Sequence, residues 1–310
     1  MNKKLSILTL GLFLIALFLV YTRKENSTLS QVVQQQPTSI KETTAVVSDT
    51  LIIPPPLFEE TPKALLQLPA VPDKTKHPLS DQGELLISQV TVVDDYALVH
   101  GDILIAGIDE MMDLERRGEL PKLAPPTLWP DGIVYYEIAP EVDQRKEIMA
   151  VIDYFHQMTP IRFQEVQGEE NFVQFVAGEQ HCFAHLGMIG GPQKIVLSPA
   201  CGENEIAHEI MHSLGFVHEQ NREDRDKSLI VNWDNIEENY DEQFKIIPRN
   251  FYLKLNEKAP FDFESRMLYS PFAFAKDSEK TTMTKTNGDL WKQTNQLLSP
   301  GDIERLRSLY

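Results

Sequence analysis

Histidines at 208, 212 and 218, with Glu209 and Gly215 between them, are the residues of this 310-residue chain best spaced for chemistry. His208 and His212 are one helical turn apart, so both imidazoles leave the same face and can reach one metal ion. His218 lies six positions beyond His212 and on a continuing helix points elsewhere. The helix must therefore break, and Gly215 is suited to end it because glycine enters the left-handed conformation at low cost. Three histidines leave one position open on a tetrahedral metal, as a catalytic site needs. Glu209 sits about 100° around the helix from His208, better placed beside a water in that open position than on the metal. Bound zinc lowers the pKa of such a water from about 15.7 to roughly 7, and a carboxylate in reach can take its proton. A bare H-E-x-x-H would also suit an ordinary core helix, since Ala207, Met211 and Leu214 complete an apolar face.

These residues read H-E-x-x-H-x-x-G-x-x-H, the metzincin pattern. Through Glu219, Arg222, Asp224, Arg225 and Asp226 the run meets every fixed position of H-E-x-x-H-x-x-G-F-x-H-E-x-x-R-x-D-R-D. In this the chain resembles the astacin family of zinc metalloendopeptidases. The likeness extends to Leu128-Trp129-Pro130-Asp131-Gly132, similar to that family's opening strand, and to Leu298-Ser299-Pro300-Gly301-Asp302, similar to its closing helix. About residues 118–310 are covered.

The resemblance implies one Zn2+ per subunit, held by His208, His212 and His218, with Glu209 as general base and peptide bonds of proteins as substrates. It places Met267 in a Met-turn beneath the metal and makes Tyr269 the phenol that stabilises the oxyanion. Leu268 and Ser270 depart from the family's histidine and glycine without touching a ligand position. Cys182 and Cys201 are expected to be bonded, because astacins carry a disulfide around a similar glycine-rich segment; a second metal on His181, Cys182 and His185 is the alternative. Glu219 is expected near the amino terminus that activation creates.

Val99-His100-Gly101-Asp102 is similar to the family's propeptide motif F-x-G-D, with valine at the first position. That likeness implies that Asp102 ligates the zinc in a zymogen; the plainer reading is a Gly-Asp turn between two strands. Activation then calls for a cut between Asp102 and Trp129, for which Arg116-Arg117 is the candidate.

The supporting elements follow from periodicity. Val134–Ile138 reads as a strand, and Gln144–Met158 as a helix with Ile148, Val151, Ile152 and Phe155 on one face. Strands are expected near 161–166, 172–175 and 195–197, giving an α+β unit large enough for a substantial core. The family implies more: a metzincin or zincin-like catalytic domain, with a twisted, mostly parallel five-stranded sheet and two long helices flanking an active-site cleft, preceded by a propeptide.

Four segments are expected: 1–22, 23–84, 85–117 and 118–310. The first is an apolar run, about Leu5 to Tyr21 behind Lys3 and Lys4, readable as a signal peptide or a membrane anchor. The second is rich in Gln, Thr, Ser and Pro and reads as a disordered spacer. The third is the propeptide and the fourth the protease. Export to a secreted, periplasmic or extracellular setting, with a possible membrane tether, is the expectation. A net charge of -17 argues against nucleic acid as a partner. A non-catalytic zinc scaffold that binds peptides is the competing reading, and the intact Glu209 speaks against it.

Overall fold

A computed structural model describes residues 75–252 and 259–310; the apolar run at 5–21 and most of the expected spacer lie outside the described residues. The central sheet contains β6 (Ile133–Ile138), β7 (Arg162–Glu165), β8 (Phe172–Ala177) and β10 (Pro192–Leu197), paired parallel, with β9 (Phe183–His185) antiparallel to β10. Alternation along β8 buries Val173 and Phe175 completely. Helix α2 (Arg145–Met158) lays Ile148, Val151, Ile152 and Phe155 on the same core. Helix α3 (Glu203–Ser213) adds Ile206, Ile210 and Met211 to that core and packs against α2. Each such side chain contributes about 1.5–3 kcal/mol when fully buried, so this cluster holds α3 rigidly against the sheet.

Among the described residues the sheet has eight strands, in the order β2-β3-β4-β9-β10-β8-β6-β7, where five were expected. The extra three are β2 (Thr91–Val93), β3 (Tyr96–Val99) and β4 (Ile103–Gly107). Asp94 and Asp95 both take positive φ, 49° and 63°, in the two-residue turn between β2 and β3, as a tight hairpin turn requires. β4 then pairs parallel with β9, Ile103 opposite Ala184 and Leu104 opposite His185. An edge strand with unpaired backbone groups takes up a further strand, which is why residues before the catalytic region enlarge its sheet. The added ribbon continues into helix α1 (Ile108–Arg117), which ends at Gly118.

The packed region also starts earlier than the expected boundary at 85. Lys76 forms a parallel bridge with Ile246, and the His77 amide donates to the Ile246 carbonyl at 3.1 Å. Two small sheets complete the frame: β1 (Leu85–Leu86) with β5 (Lys122–Leu123), and β11 (Leu229–Val231) with β12 (Met283–Lys285). The closing helix α4 (Pro300–Leu309) starts with a reciprocal cap. Ser299 Oγ accepts from the Asp302 amide at 2.9 Å, and Asp302 Oδ2 accepts from the Ser299 amide at 3.1 Å.

Candidate metal centre

Helix α3 carries His208 and His212 and stops at Ser213; Gly215 follows with φ 97°. Its amide donates to the His212 carbonyl at 2.8 Å, and the Phe216 amide to the Met211 carbonyl at 3.1 Å. The chain reverses there and returns His218, fully buried, to face the other two rings. Two distant residues close the orphan carbonyls of this helix end. The Trp129 indole donates to the Ser213 carbonyl at 2.8 Å, and the Tyr310 phenol to the Leu214 carbonyl at 2.9 Å.

The imidazoles are oriented by backbone. His208 Nδ1 lies 3.0 Å from the Arg266 carbonyl and His212 Nδ1 2.8 Å from the Phe216 carbonyl. A carbonyl only accepts, so both Nδ1 atoms carry the proton and both Nε2 atoms present lone pairs. His208 Nε2 is nevertheless 3.1 Å from His218 Nε2. Asp102 Oδ2 is 3.2 Å from His208 Nε2, and its Oδ1 is 3.1 Å from His212 Nε2 and 3.2 Å from His218 Nε2.

Acceptors crowded this closely repel unless a cation lies among them. A tetrahedral zinc with ligands at about 2.0 Å spaces them about 3.3 Å apart, close to the separations found, and nitrogen with carboxylate oxygen is a zinc donor set. The four residues fit the ion. Among the described residues this is the group placed to hold a metal.

His100, Gly101 and Asp102 join β3 to β4 in a turn, and the Asp102 carboxylate meets the three histidines. Gly101 takes φ 90°, and a Cβ there would stand 2.5 Å from Tyr269 Oη, so the loop enters the cleft only because this residue lacks one. Tyr269 donates from its phenol to the His100 carbonyl at 2.5 Å, and its ring lies 4.4 Å from that of His218.

Burial raises Asp102, but the charges of His218 and His212 and the hydrogen bonds of His208 and His212 outweigh it and hold the carboxyl well below its usual range. Glu209 moves the opposite way: burial, then the Asp102 and Glu205 charges, push it well above an ordinary glutamate. His218 is lowered to about 4, chiefly by burial. Tyr269 is pushed well above 10.0 by burial and by Asp102 and Glu209.

Glu209 is 2% exposed, and its Oε2 has no hydrogen-bond partner among the described residues. It lines a cleft of about 440 Å³ with His208, Glu205, Arg266 and Tyr269. Leu268 and Ser270, the two departures in the Met-turn, line the same cleft. Met267 is buried in the main core, and its carbonyl accepts from the Glu219 amide at 2.8 Å.

Glu219 is engaged by two guanidinium groups. Arg305 donates to both carboxylate oxygens at 2.8 and 2.7 Å, and Arg222 to Oε1 at 2.9 Å. The Asp262 amide adds a contact at 2.8 Å. Glu219→Ala leaves the buried Arg305 without its close carboxylate, while Arg222 keeps that of Asp224, and is expected to cost about 3–5 kcal/mol, measurable as a lower urea midpoint at unchanged slope. A midpoint within error of the parent chain shows the network to be dispensable.

Cys182 and Cys201 are bonded, with Cα atoms 6.3 Å apart. Cys182 is therefore closed to the alternative metal site, and His185 Nδ1 instead accepts from the Lys194 amide at 3.1 Å. Reduction is expected to cost about 3 kcal/mol for a loop of this size; a thermal midpoint insensitive to reductant contradicts that.

Sequence spacing did not reveal the Arg266 and Phe216 carbonyls that orient the ligands, since any residue type can supply a carbonyl. Arg305 left a faint signal. It shares the buried face of α4 with Asp302, Ile303 and Leu306, and a charge on an apolar face needs a partner.

A three-histidine metal site set on a broken helix, with a glutamate facing the cleft, defines a zinc metallopeptidase. The chain belongs to the astacin peptidase family, whose family model matches residues 122–310. It is 33% identical over 200 residues to Astacin-like metalloprotease toxin 1 of Loxosceles intermedia, across 63% of this chain and 72% of that one. To Zinc metalloproteinase nas-6 of Caenorhabditis elegans it is 35% identical over 188 residues, 59% of this chain and 53% of the relative. Among solved structures it is similar to high choriolytic enzyme 1, a hatching enzyme zinc-protease from Oryzias latipes. The TM-score is 0.54 at 28% identity, covering 59% of this chain and 92% of that one.

Proposed function

We propose that this chain is an exported zinc endopeptidase, made as a zymogen and acting on proteins or peptides. The observation that carries the reading is the convergence of Asp102 on His208, His212 and His218, with Glu209 beside them facing the cleft. The three imidazoles would hold one Zn2+ in the active state and Asp102 would complete the set in the latent one. When bound, that ion supplies a Lewis acid that acidifies water and polarises a carbonyl. Glu209 takes the proton of the attacking water and passes it to the leaving amine, a role suited to a carboxyl whose affinity for protons is raised. Tyr269, once free of the His100 carbonyl, turns its phenol toward the oxyanion. Met267 supports the histidines from the core, and Gly215 sets the reversal that makes His218 a ligand.

Residues 75–117 act as the prosegment, with Arg116-Arg117 at the exposed end of α1 as the activation site. The apolar run near the start and the disulfide support export, with the run serving as signal or tether. The test is hydrolysis of an unbiased peptide library by the chain cut after Arg117 and freed of the upstream piece, with and without a zinc chelator. Internal cleavage that the chelator abolishes is expected. A folded, zinc-loaded chain that cleaves nothing removes the enzyme reading.

A further inference from the structure

We infer that the prosegment is a tight-binding ligand in its own right: after a cut following α1 it stays seated, and activity waits for its departure. This rests on the zymogen reading above and goes further, since the contacts that hold the segment are mostly remote from Asp102. On one flank β4 occupies the edge of β9, and the Ala184 amide donates to the Asp102 carbonyl at 3.0 Å. Val93, Leu98 and Leu104 pack there with Phe183 and Val196 of the catalytic region. The Asp94 carboxylate accepts from the Glu179 amide at 2.8 Å.

On the opposite flank Lys76 bridges to Ile246, His77 Nε2 lies 3.4 Å from Glu242 Oε1, and Lys245 donates to Ser88 Oγ at 3.0 Å. Between the flanks Leu85, Val99 and Met111 share one apolar cluster with Val217, Ile247 and Phe251.

None of these contacts passes through residues 115–119, which are exposed. Downstream of them Leu123 pairs with Leu85, so β1 keeps its partner β5 after the cut. Cutting the chain therefore removes only the tether. Its loss lowers the effective concentration of the segment from the millimolar range that a short connection provides, while the added strands and the shared core remain.

The experiment uses the full chain with a selective protease site inserted between Gly118 and Glu119, cut at about 1 µM. Size exclusion in native buffer with mass analysis of the peak follows, alongside peptide hydrolysis. Both pieces are expected to co-elute, with hydrolysis at least about tenfold below that reached after gel filtration in mild urea and its removal. Adding the upstream piece back is expected to restore the block. Asp94→Ala, which deletes a charged acceptor, is expected to speed release by about tenfold. Separate peaks with full activity at once after the cut overturn the inference. An uncut chain as active as the cut one overturns it together with the zymogen reading. A separated catalytic piece that is inert strikes the peptidase reading alone, because co-elution still decides whether the segment stays bound.

Discussion

Glu209→Ala is expected to lower kcat/KM of the activated chain toward peptides by about a thousandfold, with zinc content and thermal midpoint unchanged. The carboxylate sits next to the first ligand on α3, buried to 2% exposure and with Oε2 free of protein partners among the described residues. No other acid in the cleft is free to replace it. On the proposed activation Asp102 departs with the prosegment, and Glu205 is engaged by the Gly202 amide at 2.9 Å. Stability should not fall. The folded state holds the Glu209 proton more tightly than the unfolded chain does. Its contribution to folding is thus present below its ordinary pKa of 4.5 and lost as pH rises through the raised value. Alanine removes a carboxyl whose Oε2 has no protein partner among the described residues, so folding loses no hydrogen bond there. Initial rates, metal analysis and calorimetry on the same preparation separate catalysis from folding. Retention of more than about a tenth of the activity takes the general-base role from Glu209.

Removing the metal is expected to abolish hydrolysis, by at least about 10⁴-fold, because unassisted water at neutral pH is a far weaker nucleophile. One equivalent of Zn2+ should restore the chelated chain. His212→Ala should lose activity equally and not recover, since the ring is fully buried and fixed by the Phe216 carbonyl at 2.8 Å. Binding is read by metal analysis after dialysis and activity by peptide hydrolysis. Undiminished activity in chelator, at verified zero metal content, contradicts a metal-dependent reaction.

The ligand histidines were legible in the sequence because their geometry is local. A four-residue spacing on a helix and a glycine able to take positive φ specify the site within eleven positions, His208 to His218. Helix α2 was legible for the same reason: its apolar residues recur at the helical period, and it runs Arg145–Met158 against an expected start at 144. The likeness in Val99-His100-Gly101-Asp102 also pointed to Asp102 meeting the histidines, though its spacing alone fitted a plain turn.

What surrounds these residues was decided in three dimensions. Trp129 and Tyr310, 181 positions apart in the numbering, both cap the carbonyl end of the zinc helix. Arg305 closes on Glu219 from 86 residues away. The ribbon of β2, β3 and β4 enlarges a sheet whose edge strand lies some 80 residues downstream. The sequence reads Gly101-Asp102 as a turn between two strands, but which sheet edge those strands join depends on an unfilled edge and a matching register rather than on side-chain type. The sequence by itself determined the proposed chemistry of the site, since the candidate ligand set and the proposed base are side chains at fixed local spacing. Tertiary structure alone decided how that site is oriented and how firmly it is shut, since both depend on backbone carbonyls, sheet edges and buried charges brought together from distant parts of the chain.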